Sequence, residues 1–277
     1  MSVGECFGQA INITFLVLVM MLLVDYFDVR TRGRLRALAR GGRWRQYILA
    51  SFLGATPGCL GAFMSVTLYV HGVLILGAMV ACMVATSGDE AFVMLVMFPR
   101  QAVLLFLLLF VLGIIFGRIS DWVVRLFQVV TCEKCKLQEY HAGEETVSHY
   151  IRDHVWKHII KRHIWRVFIW TFLALLIVGM GVRYWELDAV VTSHLGTVLI
   201  LSALVGIIPE SGPNLIFVTL YAHGTIPFSV LLTNAIVQDG HGMLPLLSYT
   251  LKDSLLIKTL NMIFGLSVGG GAYLLGF

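Results

Sequence analysis

The sequence predicts an all-α polytopic membrane protein of about ten transmembrane segments, arranged as two inverted-topology repeats with broken helices. Three features predict it: the composition, the placement of basic residues and an internal duplication. Of 277 residues, 58% are apolar and 13% charged, about half the charged share of a soluble domain, and the mean hydropathy is +0.86. This composition excludes a water-soluble enzyme. At about 20 apolar residues per crossing, the uncharged stretches hold roughly eight to ten membrane segments.

The first element is the apolar run from Ile11 to Val24. The ten residues before it contain Glu5 and no Lys or Arg, so it lacks the basic region of a signal peptide and reads as a retained helix. Arg30, Arg32, Arg34, Arg36, Arg40, Arg43 and Arg45 follow. The positive-inside rule places this Arg30–Arg45 loop in the cytoplasm and the N-terminus outside. The arginines read first as a topology determinant at the membrane lipid, one that needs no further partner, so no nucleic-acid partner is expected; the alternative is a nucleic-acid or phosphoinositide site.

From Gln46 to Ser87 the chain is apolar for two crossings, interrupted at Thr56-Pro57-Gly58 and at His71-Gly72, where Pro and Gly break helices. The polar knot Ser87-Gly88-Asp89-Glu90 comes next. A short apolar run, Pro99-Arg100 and a long apolar helix from Ala102 to Phe116 complete a first repeat over residues 1–117. A linker over residues 118–166 carries nine Lys and Arg residues and is expected in the cytoplasm. The second repeat, residues 167–277, is broken again at Pro209-Glu210-Ser211-Gly212-Pro213-Asn214 and at Gln238-Asp239-Gly240-His241-Gly242.

Sliding the chain by 152 residues aligns Val66-Thr67-Leu68-Tyr69-Val70-His71-Gly72 with Val218-Thr219-Leu220-Tyr221-Ala222-His223-Gly224, six identities in seven. The register continues without a gap: Pro57 falls on Pro209, Gly88 on Gly240, Gly113 on Gly265, Gly117 on Gly269 and Arg100 on Lys252. Five segments in each half, an odd number, turn the second half upside down and leave both basic stretches inside. Inverted repeats with discontinuous helices are the architecture of secondary transporters, whose substrate site lies where the helices are broken. The expected location is the inner (plasma) membrane.

Asp89, Glu90, Glu210 and Asp239 lie in apolar surroundings, and a carboxylate inside a membrane is costly unless it faces a cavity, a proton or a cation. With Asn214, Asn234, Gln238, His241 and the hydroxyls of Thr56, Ser87 and Ser211, they form an oxygen-rich set that suits Mn²⁺, Zn²⁺, Fe²⁺ or Co²⁺ as substrate, with protons as coupling ion. The competing reading places Asp89, Glu90 and Asp239 at helix N-termini in the headgroup layer, where acidic residues are favourable anyway. His71 and His223 are auxiliary ligand candidates, or parts of a turn shared by both halves. Cys59 is a further auxiliary candidate, but a buried cysteine such as Cys59 or Cys82 also serves as a small apolar residue. Two membrane thiols are too few for a three-thiol arsenite site.

The linker adds Cys132-x-x-Cys135 with His141, His149, His154, His158 and His163. Cys132 and Cys135 have the spacing of half a zinc site, and His154 and His158 share one helical face. The alternative is an amphipathic helix from His149 to Arg166 on the membrane surface. No phosphate-binding loop is present, so no nucleotide is expected and the chain is not expected to be an enzyme. A lipid-pyrophosphate phosphatase, with Ser211, Ser87 or His241 as nucleophile, is the enzymatic alternative. It would need an Arg at the same depth.

The Pro-Glu-Ser-Gly-Pro-Asn run at 209–214, the Asn234 to Gly242 stretch, the Gly88-Asp89-Glu90 knot and the central Cys-x-x-Cys with histidines resemble the ten-helix heavy-metal exporter family. Its members are labelled arsenic efflux permeases or manganese transporters. The resemblance implies ten helices and export of a metal. The resulting expectation is a proton-exchanging exporter of a divalent cation, with Mn²⁺ first in order and arsenic or organoarsenical efflux as the alternative. A homodimer is left open.

Overall fold

The computed structural model describes residues 42–88, 90–129 and 195–276, with isolated positions between residues 4 and 19 and between 165 and 173. Their regular structure is helical, without a strand among the described residues. The first series is α1 (Arg43–Ala55), α2 (Leu60–Val70), α3 (Leu76–Ala85), α4 (Glu90–Met97) and α5 (Pro99–Leu126). The second is α6 (Leu195–Gly206), α7 (Ser211–Ala222), α8 (Phe228–Val237), a 3₁₀ turn at Gly240–Gly242, α9 (Met243–Tyr249) and α10 (Leu251–Leu274). Shifted by 152 residues, each helix of the first series falls on its counterpart in the second.

The breaks have local causes. α1 ends at Thr56, whose extended backbone is what the following Pro57 requires. The Tyr-x-His-Gly motif common to both series is a helix stop. Gly72 and Gly224 adopt φ of +70° and +71°, a left-handed conformation that costs glycine nothing. There Gly72 N donates to Tyr69 O and Val73 N to Leu68 O, and Gly224 N donates to Tyr221 O and Thr225 N to Leu220 O. This is the paired hydrogen bonding of a Schellman cap. Pro99 opens α5, where its missing N–H is harmless, and Thr250 caps α10 by accepting from Asp253 N.

The helix lengths sort into two kinds. At 1.5 Å per residue, α5 with 28 residues and α10 with 24 run about 42 and 36 Å, enough to cross a hydrocarbon layer of about 30 Å. Both are long and apolar enough to cross a membrane, as is the composite segment Leu76–Met97. α5 presents Val103, Leu104, Leu107, Val111, Ile115 and Trp122 outward, the apolar surface a lipid-facing helix needs. By contrast α3 and α8 have 10 residues each and are almost wholly buried. At about 15 Å they reach only part of the way and end inside the protein.

Each series packs in the same way. α1, α3 and α5 pack on one another, as do α6, α8 and α10. Close approach depends on small residues: a Cβ on Gly117 would strike Gly77 O, and one on its counterpart Gly269 would strike the Thr233 side chain, as expected where helices associate through tight packing. The series also interlock, with α4 packing on α7 and α9 on α2. Phe116 of α5 stacks on Phe264 of α10 with ring centroids 4.1 Å apart, and Tyr69 OH of α2 donates to Asp253 Oδ2 of α10 at 2.8 Å.

The helix that the sequence reading closes at Phe116 continues to Leu126, past the expected boundary at residue 117. Its extra turns are held by the core. Asp121 accepts from Tyr47 OH at 2.6 Å and from Gly77 N at 3.0 Å, and so ties α5 to α1 and to the start of α3. Tyr47→Phe leaves that buried carboxylate without its phenol. The expected cost is about 1–3 kcal/mol, read as a Tm lowered by a few degrees for the purified variant against wild type.

Candidate functional site

The interrupted segments of both series meet at one crossing. Gln238 Nε2 donates to Thr86 O at 2.8 Å, and these two residues occupy equivalent positions, 152 apart. Gly88 and Gly240, also equivalent, sit back to back at φ of +54° and +52°, and a Cβ on either would lie about 3.5 Å from the other's Cα. Gly240 N donates to Gln238 Oε1 at 2.9 Å, and Gly58 N donates to Gly88 O at 3.0 Å. Unwound backbone inside a helical membrane protein is tolerated where protein partners satisfy its polar groups or where it lines a water-filled cavity. The bonds at the crossing satisfy four such groups, Thr86 O, Gly240 N, Gly58 N and Gly88 O.

Helix N-termini gather around the crossing and bring the chemistry with them. Cys59 precedes α2, Glu210 precedes α7, Glu90 opens α4 and His241 lies in the 3₁₀ turn before α9. The His241 ring stands between two of these groups: Cys59 Sγ is 3.6 Å from Nδ1, and Glu210 Oε1 is 3.9 Å from Nε2. Glu210 is fixed by its own helix, since Oε1 accepts from Gly212 N at 3.3 Å and the backbone O accepts from Asn214 Nδ2 at 2.9 Å. A carboxylate at this position also meets the positive end of the helix dipole.

Amides and hydroxyls surround this row. Asn234 Nδ2 donates to Asn214 Oδ1 at 2.8 Å and to Ser202 O at 3.0 Å, which joins α8, α7 and α6. Glu90 is 1% exposed. The hydroxyl oxygens of Ser87 and Ser211 are buried without a hydrogen-bond partner among the described residues, and Ser211 Oγ lies beside both Gly88 and Gly240. Buried polar atoms left in this state call for a ligand, an ion or water.

Asp239 stands apart from the row. Its carboxylate, 0% exposed, makes an ion pair with Lys258 of α10, and its Oδ1 accepts from Asn261 Nδ2 at 2.9 Å. Lys258 Nζ also donates to Gly206 O at 3.1 Å and approaches Val237 O at 3.5 Å, the last carbonyls of α6 and α8.

The structure therefore brings Cys59, Glu210, Ser211, Asn214, Asn234, Gln238 and His241 to the crossing, with Glu90 at the adjoining helix end. Asp239, grouped with them in the sequence reading, is engaged by Lys258. His71 and His223 cap α2 and α7, each Nδ1–H donating to a carbonyl four residues back, Thr67 O at 2.7 Å and Thr219 O at 2.8 Å. Asp89 and the linker candidates Cys132, Cys135, His154 and His158 lie outside the described residues. Among the described residues no three His, Cys, Asp or Glu side chains form a closed metal cage. Cys59 and Glu210 address opposite nitrogens of one imidazole, so a single ion cannot engage all three in this conformation.

Sequence reasoning missed Lys258 and Asn261. The signal was available: Lys258 and Asn261 interrupt an otherwise apolar stretch of α10 at a spacing of three, which puts them on one face. No curated protein and no solved structure matches the chain. A family model described as "Putative, 10TM heavy-metal exporter" matches residues 6–192 and 123–275, two segments that together span nearly the whole chain. The chain is a multi-pass membrane protein that belongs to this heavy-metal exporter family.

Proposed function

We propose that the chain is a secondary-active exporter that carries a divalent heavy-metal cation out across the inner membrane in exchange for protons. The observation that carries this reading is the row Cys59, His241 and Glu210 at the crossing of the broken helices. Glu210 supplies a carboxylate that binds metal in one state and a proton in the other, and Glu90 supplies a second acid at the adjacent helix start. Asn214, Asn234, Gln238, Ser87 and Ser211 furnish neutral oxygens, which suit a hard or borderline cation. Asp239, paired with Lys258, brings no net charge to this set.

An oxygen-dominated set favours Mn²⁺, and engagement of Cys59 and His241 moves preference toward Zn²⁺, Fe²⁺ or Co²⁺. In our reading the two halves have inverted topology, with the N-terminus outside and the basic loop and linker in the cytoplasm. Rocking of one half against the other then exposes the crossing to each side in turn. A geometry in which His241 separates Cys59 from Glu210 fits such a carrier, because a ligand set that closes in only one state releases its ion in the other. A second reading, efflux of arsenic oxyacids or organic arsenicals, which do not need a three-thiol site, is favoured by the Cys59 thiol beside His241 at that same point.

The test is uptake by proteoliposomes under an imposed pH gradient, with Mn²⁺, Zn²⁺, Fe²⁺, Co²⁺ and arsenite compared in parallel. Gradient-driven movement of one divalent cation is expected. Glu210→Gln is expected to lower that movement by about tenfold or more, since loss of even an outer partner of a metal site weakens binding about 10–100-fold. Wild-type rate and pH dependence in correctly inserted Glu210→Gln would remove the carboxylate from the mechanism. Movement of arsenite alone would favour the second reading.

We further propose that the linker binds metal in the cytosol through Cys132, Cys135, His154 and His158. Replacing Cys132 and Cys135 by Ser in the full chain is expected to lower the zinc bound per protein, measured by elemental analysis after equilibrium dialysis. Unchanged zinc content would show that no thiolate site is present.

A further inference from the structure

The ion pair beside the crossing has the makings of a cation site of its own. Three oxygen groups lie around the Lys258 ammonium, the Asp239 carboxylate, Gly206 O and Val237 O, and Asn261 holds the carboxylate by donating Nδ2 to its Oδ1. Gly206 O and Val237 O end two short helices whose dipoles place partial negative charge there. Asn261 is 0% exposed, and its Oδ1 has no hydrogen-bond partner among the described residues. A carboxylate with carbonyls from the ends of half-helices is the donor set with which membrane carriers hold a small hard cation.

Comparison of the two series sharpens this. In the 152-residue register Asp239 corresponds to Ser87, Lys258 to Phe106 and Asn261 to Leu109. The first series thus carries an apolar pair and a hydroxyl at the equivalent positions, and the two series differ at all three. A packed apolar interior is generally as stable as a buried ion pair, or more so. Packing alone therefore gives no reason for the difference. The charge is also matched: one ammonium faces one carboxylate, whereas a divalent ion would leave a buried excess charge.

We propose that Asp239, held by Asn261, together with Gly206 O and Val237 O forms a monovalent-cation site, and that the Lys258 ammonium is its permanent occupant, a tethered ion in place of free Na⁺ or K⁺. The site is distinct from the row at His241. Because the tether fills it in every molecule, the wild-type chain has no use for an alkali cation there. Removing the tether without removing Asp239 converts the site into one that takes its ion from solution.

The experiment is thermal unfolding of the purified full-length chain in NaCl, KCl and choline chloride at matched ionic strength, without any transport readout, so its outcome is independent of the export reading. Lys258→Ala is expected to be less stable than wild type in choline chloride and to gain several degrees, saturably, in Na⁺ or K⁺. Wild type, and the double variant Asp239→Asn with Lys258→Ala, are expected to show no difference among the three salts. Identical Tm values for Lys258→Ala in all three salts would overturn the proposal, as would an equal alkali-cation response in wild type or in the double variant. Lys258→Ser, which removes the ammonium but keeps a small polar side chain on the same face of α10, is the second variant and carries the same expectation. Failure of both single variants to fold even in Na⁺ and K⁺ would also overturn it, because a refilled site must restore the fold.

Discussion

Unwound backbone inside an apolar molecule must find its hydrogen bonds within the protein or from water in a cavity, and the arrangement of this chain follows from how it does so. Gln238 carries much of that burden. Its Nε2 serves Thr86 O from the other half, and its Oε1 takes Gly240 N from its own. Where those atoms meet, Gly88 and Gly240 lie back to back in the left-handed conformation that favours glycine, and α3 and α8 stop after 10 residues. The long helices α5 and α10 then close around the short ones, with Phe116 on Phe264 as one seam.

Stopping helices in the interior also exposes the ends of their dipoles, and the side chains answer each end with the opposite sign. Glu210 and Glu90 stand at N-termini, where negative charge is favourable, and Lys258 stands at the C-termini of α6 and α8, where positive charge is favourable. In this way the same breaks that cost helical hydrogen bonds also create a polar interior. A carrier needs such an interior, since a continuous apolar bundle offers a cation nothing to bind.

Most of this frame is legible in the sequence because it is written in local signals. Pro57 and Pro209 end helices by steric exclusion, Gly72 and Gly224 cap them, and their spacing of 152 residues exposes the duplication. The same logic explains the two histidines: Tyr-x-His-Gly recurs because it makes a helix stop, and His71 and His223 bond back into the helices they terminate. Pairings between distant segments are not written locally. Cys59 meets His241 across 182 positions, and nothing near either residue announces it. Asp239 reads as a ligand because an acid in an apolar run must have a partner. That its partner is Lys258 depends on how α10 lies against α8. Likewise the apolar run of α5 ends near Phe116, yet the helix continues because Asp121 is anchored from α1 and α3.

The central claim is that the crossing of the broken helices is where the metal binds. Anomalous scattering from crystals of the full chain grown with Zn²⁺ or Mn²⁺ tests it most directly, since the peak locates the ion without any assumption about its ligands. The account predicts a peak inside the membrane region beside Glu210 and His241, lost in Glu210→Gln crystals. Metal confined to the cytoplasmic linker, with no peak at the crossing, would contradict it.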